Sequence, residues 1–150
     1  LPYYSPPPTY PPRRGRGAAR PPPPPAGAAT NPYTPTEVCG AGYRVISSLP
    51  AKTDDGRKWG GVYLLYKSGG YNCVVTIKWS FIGVATDTFA GLYRDSEDSS
   101  RNVYDQGNYK YYAVVRGYAP QCISYAGWVS DRPGEGGTGA VAVSGWGWCG

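Results

Sequence analysis

The sequence has 150 residues, room for one domain with an appendage, and its formal charge of +5 is unevenly placed. Residues 1–36 hold Arg13, Arg14, Arg16 and Arg20 and no acid, whereas the remainder carries 11 basic and 10 acidic side chains. A near-neutral domain lacks the basic face of a nucleic-acid binder, and no apolar run approaches the ~20 residues of a membrane span.

The first predicted element, in chain order, is a tail. Thirteen of the 16 prolines lie between Pro2 and Pro35, and "YSPPPTYPP" and "RPPPPP" favour polyproline II. At ~3.1 Å per residue, 36 residues in that form reach about 110 Å. Residues 1–36 have too little apolar surface to fold alone. A flexible spacer is the plain reading of such a segment. The functional reading is a strap held by a partner. Tyr3, Tyr4 and Tyr10 would supply stacking and pocket contacts, and the four arginines charge-assisted hydrogen bonds. Pro21, Pro22, Pro23, Pro24 and Pro25 would form a stiff rod that loses little entropy on docking. A chain that starts at Leu1, with neither Met nor a signal-peptide pattern, reads as the mature product of an exported precursor.

Residues 37–150 form the predicted folded unit. From Cys39 onward the chain alternates short β-branched and aromatic runs with clusters of Gly, Asp and Ser. The predicted strands are "GYRVIS" (42–47), "GVYLLY" (61–66), "CVVTIKW" (73–79), "TDTFAGLYR" (86–94), "NYKYYAVVRG" (108–117), "QCISYAGWV" (121–129) and "GAVAVSGWGW" (139–148). Turn signals separate them: "TDDGRK", "KSGG", "DSEDSS" and "DRPGEGG". No stretch has a sustained 3.6-residue period, so helix is nearly absent. About seven short strands predict an all-β, antiparallel sandwich or small barrel.

The four cysteines are Cys39, Cys73, Cys122 and Cys149. No pair has C-x-x-C spacing and the chain has no histidine, so a metal site or redox motif is a poor reading. Two disulfides in an oxidising compartment fit better. A hairpin centred in "RPGEGG" sets Cys122 opposite Cys149. An up-down-up course of the first three strands brings Cys39 and Cys73 to the same end. Of three possible connectivities, this favours Cys39–Cys73 and Cys122–Cys149.

Without histidine the usual general base and the Ser-His-Asp triad are missing. The remaining candidates are carboxylates. Asp54 and Asp55 sit in one turn signal, and Asp95, Glu97 and Asp98 crowd the "RDSEDSSR" loop. Such a pair could hydrolyse a glycoside, but acids among Ser and Arg in a turn read more simply as solvated punctuation. The sequence therefore predicts no enzyme, no metal and no cofactor. Its aromatics point elsewhere: 15 tyrosines and five tryptophans against two phenylalanines favour rings with a polar handle, which suit surfaces wet on one side. Alternation puts Tyr109 and Tyr111 on one face of a strand and Trp146 and Trp148 on one face of another. These four form a candidate aromatic surface for protein or glycan, although rings of this kind also pave thin cores.

At "NPYTPTEVCGAGYRVISS", "GGVYLLY", "YNCVVTIKW", "YYAVVRGYAPQCISYAGWV" and the terminal "WCG", the chain resembles a known group. This is the small secreted actinobacterial domains of the spore-associated protein A-like family, also found outside the membrane on some serine/threonine kinases. The resemblance runs from Asn31 to Gly150 and includes the four cysteines in order. "SGWGWCG" departs from the "SPFEHCG"-like ending common in that family. With its proline-rich extension the chain further resembles the small adaptor subunit of Streptomyces umbrella toxin particles, which joins a repeat-built spoke on the toxin polypeptide to a lectin subunit. That resemblance implies a secreted, non-enzymatic adaptor in an antibacterial complex. Residues 1–36 would dock in a cleft of a lectin-like partner and the β-domain on a repeat-containing toxin spoke. The alternative is a cell-surface or glycan-binding module on a proline-rich spacer.

Overall fold

A computed structural model describes residues 29–95 and 102–149. Its first element is a five-residue helix, α1 (Pro35–Cys39), with a complete N-terminal cap. The Thr34 hydroxyl accepts from the Glu37 amide, and the Glu37 carboxylate accepts from the Thr34 amide, so two otherwise orphaned donors are satisfied. Pro35 begins the helix, where a missing N–H costs nothing. At the other end Arg116 donates to the carbonyls of Val38 and Cys39. The segment ahead of α1 is also tied down. Asn31 Nδ2 donates to the carbonyls of Lys78 and Tyr111, each at 2.9 Å. The Tyr33 ring packs 5.5 Å from that of Tyr111 and 5.0 Å from that of Tyr112. Residues 31–36, grouped with the tail by composition, thus contact the domain through Asn31 and Tyr33. A few specific anchors achieve this in a stretch whose composition resembles the tail's.

Among the described residues eight strands follow: β1 (Arg44–Lys52), β2 (Lys58–Lys67), β3 (Tyr71–Lys78), β4 (Thr86–Arg94), β5 (Val103–Tyr109), β6 (Tyr112–Tyr118), β7 (Ile123–Ser130) and β8 (Gly139–Val143). All pairings are antiparallel, in the order β5-β4-β7-β8-β1-β2-β3-β6. The junction between β8 and β1 is a single residue pair, Lys52 opposite Val141. The sheet therefore behaves as two four-stranded halves, β5-β4-β7-β8 and β1-β2-β3-β6, folded face to face as a nearly closed sandwich.

Between the halves lie Val62, Leu64, Val74, Ala90, Leu92, Val115, Ile123, Tyr125 and Val129, all buried. Closest approach occurs at two glycines. A β-carbon on Gly127 would stand 2.2 Å from Thr76 Oγ1, and one on Gly60 would stand 2.9 Å from Val129 Cγ2. The alternate positions of β2, β3 and β6 face outward, yet Leu65, Cys73, Val75, Ile77, Tyr112 and Val114 are also buried. Tyr33, Val38 and Tyr43 cover them. This second layer explains why "VYLLY" and "CVVTI" are continuous apolar runs rather than alternating ones.

The all-β expectation agrees with the fold, and the described residues form eight strands rather than about seven. The predicted strand 108–117 breaks at Lys110 and Tyr111, which separate β5 from β6. The carbonyls of those two residues accept from Gly83 N and Lys78 N instead of continuing a ladder. The strand predicted over 139–148 ends at Val143, after which Gly147 pairs with Ile123 as an isolated bridge. Both favoured disulfides form: Cys39–Cys73 ties α1 to β3, and Cys122–Cys149 ties the C-terminal segment to the start of β7.

Candidate functional site

The outer face of β5-β4-β7-β8 bears a different surface from its counterpart. Alternation along β4 turns Asp87, Phe89, Gly91 and Tyr93 outward, and along β7 it turns out Ser124, Ala126 and Trp128. Register then sets Gln106, Phe89, Trp128 and Val141 in one row across the four strands, with Tyr104, Gly91, Ala126 and Val143 in the next. The rings stack along the first row. Phe89 and Trp128 are 4.2 Å apart at 13° between planes, and Tyr104 lies 5.8 Å from Phe89 on its other side. Gly91 provides the seat: a β-carbon there would meet the rings of Phe89 and Tyr93 within 2.8 Å. Phe89 is enclosed by its neighbours, while Tyr104, Val141 and Val143 are 47%, 49% and 65% exposed.

Asp87 fixes one end of this stack. Its carboxylate accepts from Trp128 Nε1 at 2.9 Å and from Gln106 Nε2 at 3.1 and 3.3 Å. The β7–β8 loop closes over the same end, pinned where Gly134 N donates to Asn108 Oδ1. Between loop and sheet lies a cleft of about 360 Å³, lined by Asp87, Gln106, Trp128, Ser130, Glu135 and Val141 with three loop glycines and Gly139 at the start of β8. It combines one aromatic ring, an aliphatic side chain and several polar groups. With its oxygens engaged by Trp128 and Gln106, Asp87 holds the indole in place.

The residues predicted from sequence distribute differently. Tyr3, Tyr4, Tyr10, Arg13, Arg14, Arg16, Arg20 and Pro21 to Pro25 lie outside the described residues, as do Glu97 and Asp98. Tyr109 and Tyr111 do not share a surface, which corrects their assignment to one strand face. Tyr109 packs against the central core and its hydroxyl donates to Asp105 at 2.6 Å. Tyr111, past the turn, is buried beneath Tyr33 in the other cluster. The cause is the break at Lys110, which resets the alternation. Trp146 is 58% exposed and Trp148 40% exposed, with the Trp148 ring 5.6 Å from buried Tyr125. Asp55 lies in the exposed β1–β2 turn and pairs with Arg57 at 3.1 Å.

Sequence reasoning passed over Tyr104, Phe89, Trp128 and Asp87. A signal was available: "TDTFAGLYR" alternates, and a carboxylate on the same face as a phenylalanine marks that face as the one toward solvent. Which strands stand beside it, and hence which rings meet, depends on pairings between β4, β5 and β7 that no local pattern encodes.

No protein-family model matches the sequence, and no solved structure matches it either. Among curated proteins it is similar to spore-associated protein A of Streptomyces coelicolor. Identity is 35% over 111 residues, which cover 71% of this chain and 67% of the relative. With that likeness in sequence, the two-disulfide β-sandwich belongs to the spore-associated protein A family.

Proposed function

We propose that the protein acts outside the cell as a non-enzymatic adaptor that joins two other subunits. The observation that carries this reading is the outward face on which Phe89, Trp128 and Val141 share one row and Tyr104 and Val143 the next, on a sheet whose inner side already forms the core. Exposed Tyr104, Val141 and Val143 on the face that carries the Phe89–Trp128 stack suit a protein partner. Two disulfides and a relative named for its association with spores support an extracellular place. In the antibacterial toxin particle that the sequence resembles, this face would dock on the repeat-containing spoke. The tail, through Tyr3, Tyr4, Tyr10 and its four arginines, would occupy a cleft of the lectin-like subunit. A second reading has one observation in its favour: the cleft beside Trp128 pairs an indole with amide, hydroxyl and carboxylate groups, the chemistry of a small glycan site.

Purification of the tagged full chain from its native culture supernatant tests the proposal. Lectin-like and repeat-containing polypeptides should co-elute in fixed ratio. Changing the four tail arginines to Ala should release the first, and Val141→Asp with Val143→Asp should release the second. A chain that elutes alone refutes the adaptor. Saturable binding of an oligosaccharide that Trp128→Ala removes would establish the second reading in its place.

A further inference from the structure

We infer that the cleft beside Trp128 receives an arginine side chain, presented by the partner that docks on the β5-β4-β7-β8 face. The donor of that side chain rests on the adaptor reading; the preference for a guanidinium rests on the cleft alone. With a volume of about 360 Å³, the cleft is ample for one long side chain. Among the described residues its lining holds two carboxylates, Asp87 and Glu135, and no base.

Asp87 is the group that points to a cation. It is 9% exposed, and among the described residues its carboxylate is met by neutral donors only. Trp128 Nε1 donates to Oδ2 at 2.9 Å, and Gln106 Nε2 lies 3.1 Å from Oδ1 and 3.3 Å from Oδ2. A carboxylate so far from water is ordinarily paired with a base. It also accepts about four hydrogen bonds, so room for a further donor remains. The neighbouring bases do not fill it. Arg132 pairs with Asp131 at 3.5 Å, and Lys52 lies beyond Val141 on the adjoining strand.

The other walls suit the same ligand. The Trp128 indole is stacked on Phe89 at 4.2 Å and bonded to Asp87, so it is fixed before any ligand arrives. A guanidinium is attracted to the face of an indole and donates in its own plane, which directs its N–H groups at flanking carboxylates. Gly134 and Gly136, at φ of 73° and 97°, carry the loop past the cleft with Glu135 between them. Ser130, 5% exposed, adds a hydroxyl to the lining. A neutral sugar would engage the polar groups but leave the Asp87 carboxylate without a countercharge.

The test is a titration of the full chain, followed by the indole N–H proton of Trp128 and assigned through Trp128→Phe. The probe is an acetylated glycyl-arginyl-glycine amide. Its control carries citrulline, the neutral isostere, in place of arginine. The arginine peptide should move the Trp128 signal saturably, leave those of Trp146 and Trp148 in place, and bind more weakly as salt rises. Glu135→Gln, exposed on the loop, should weaken binding about two- to fivefold, and Asp87→Asn should abolish it. Glu135→Gln and the citrulline control remain decisive even where Asp87→Asn loosens the stack. Equal shifts from the citrulline peptide overturn the inference, as does an affinity that Glu135→Gln leaves untouched. A Trp128 signal that only a neutral oligosaccharide moves, or that nothing moves, also overturns it. The titration needs no partner, so its failure is distinct from that of the adaptor: a chain that elutes alone yet binds the arginine peptide refutes the adaptor and not the preference of the cleft.

Discussion

Lys78 gives the sharpest test of the energetics. It is fully buried on the inner side of β3, and its Nζ donates to the carbonyls of Val84 and Tyr109 at 2.6 and 2.9 Å. Loss of hydration on burial lowers its pKa from 10.5 to about 7. Between those values the unfolded chain carries the proton and the folded chain does not, so stability rises with pH, by at most ~1.4 kcal/mol per pH unit. Below pH 7 both states are protonated and the penalty levels off at its full value, on the order of 5 kcal/mol. Above pH 10 the trend reverses. Burial raises the pKa of Tyr43, Tyr63, Tyr93 and Tyr125, and a group whose folded pKa is raised loses its stabilising contribution as pH climbs. The usable window is therefore pH 7.5 to 9.5, over which wild-type stability should rise by about 2 to 3 kcal/mol. Lys78→Met removes the titration but also removes the donor that Nζ offers to the carbonyls of Val84 and Tyr109, so its absolute stability at pH 7 discriminates poorly. The slope discriminates well. Urea unfolding at fixed pH values should show a steep rise for wild type and a flat line for Lys78→Met. Equal slopes for the two proteins would refute the assignment of a neutral buried amine.

Three further predictions follow from the packing. Gly127→Ala should lower stability by at least the ~1–3 kcal/mol of an overpacked core, because its methyl would meet Thr76 Oγ1 and Val62 Cγ2; a melting temperature equal to that of wild type contradicts the close approach of the two halves. Asp105 of β5 bridges the open seam to β6 by accepting from Val114 N at 3.0 Å, and accepts from Tyr109 Oη of its own strand at 2.6 Å. Asp105→Ala should cost about 1–3 kcal/mol for each stranded donor and speed hydrogen exchange at the Val114 amide, and unchanged exchange there would show the seam closed by other means. The native protein should weigh about 4 Da less than its fully reduced form. Replacing Cys122 and Cys149 by Ser should lower stability by about 3–4 kcal/mol, given the 27-residue separation they close, and free thiols in the native protein would overturn the secreted reading.

Local chemistry was enough to determine the class of fold. Runs of β-branched and aromatic residues between glycine-rich turns specify strands whatever their partners. "KSGG" shows why: Gly69 and Gly70 adopt φ of 104° and 91°, a conformation that glycine takes without strain, so the β2–β3 hairpin can be read from four letters. The division of charge and proline between tail and domain was equally legible, as were the two favoured disulfides, Cys122–Cys149 from hairpin arithmetic and Cys39–Cys73 from the up-down-up course of the first three strands.

Tertiary structure alone decided the rest. Asn31 reads as part of a proline-rich tail until the carbonyls of Lys78 and Tyr111 stand beside it. Lys78 ends a strand as an ordinary polar residue, and only the closing of β4 and β5 over it makes it a buried amine. The aromatic face likewise needs β4 between β5 and β7, an order that the sequence of elements does not fix. Strand and turn preferences act over a few residues, where backbone sterics and hydrogen bonding are local. Which faces are covered, and which rings meet across a sheet, depends on pairings between residues far apart in the chain, set by the burial of the whole core at once.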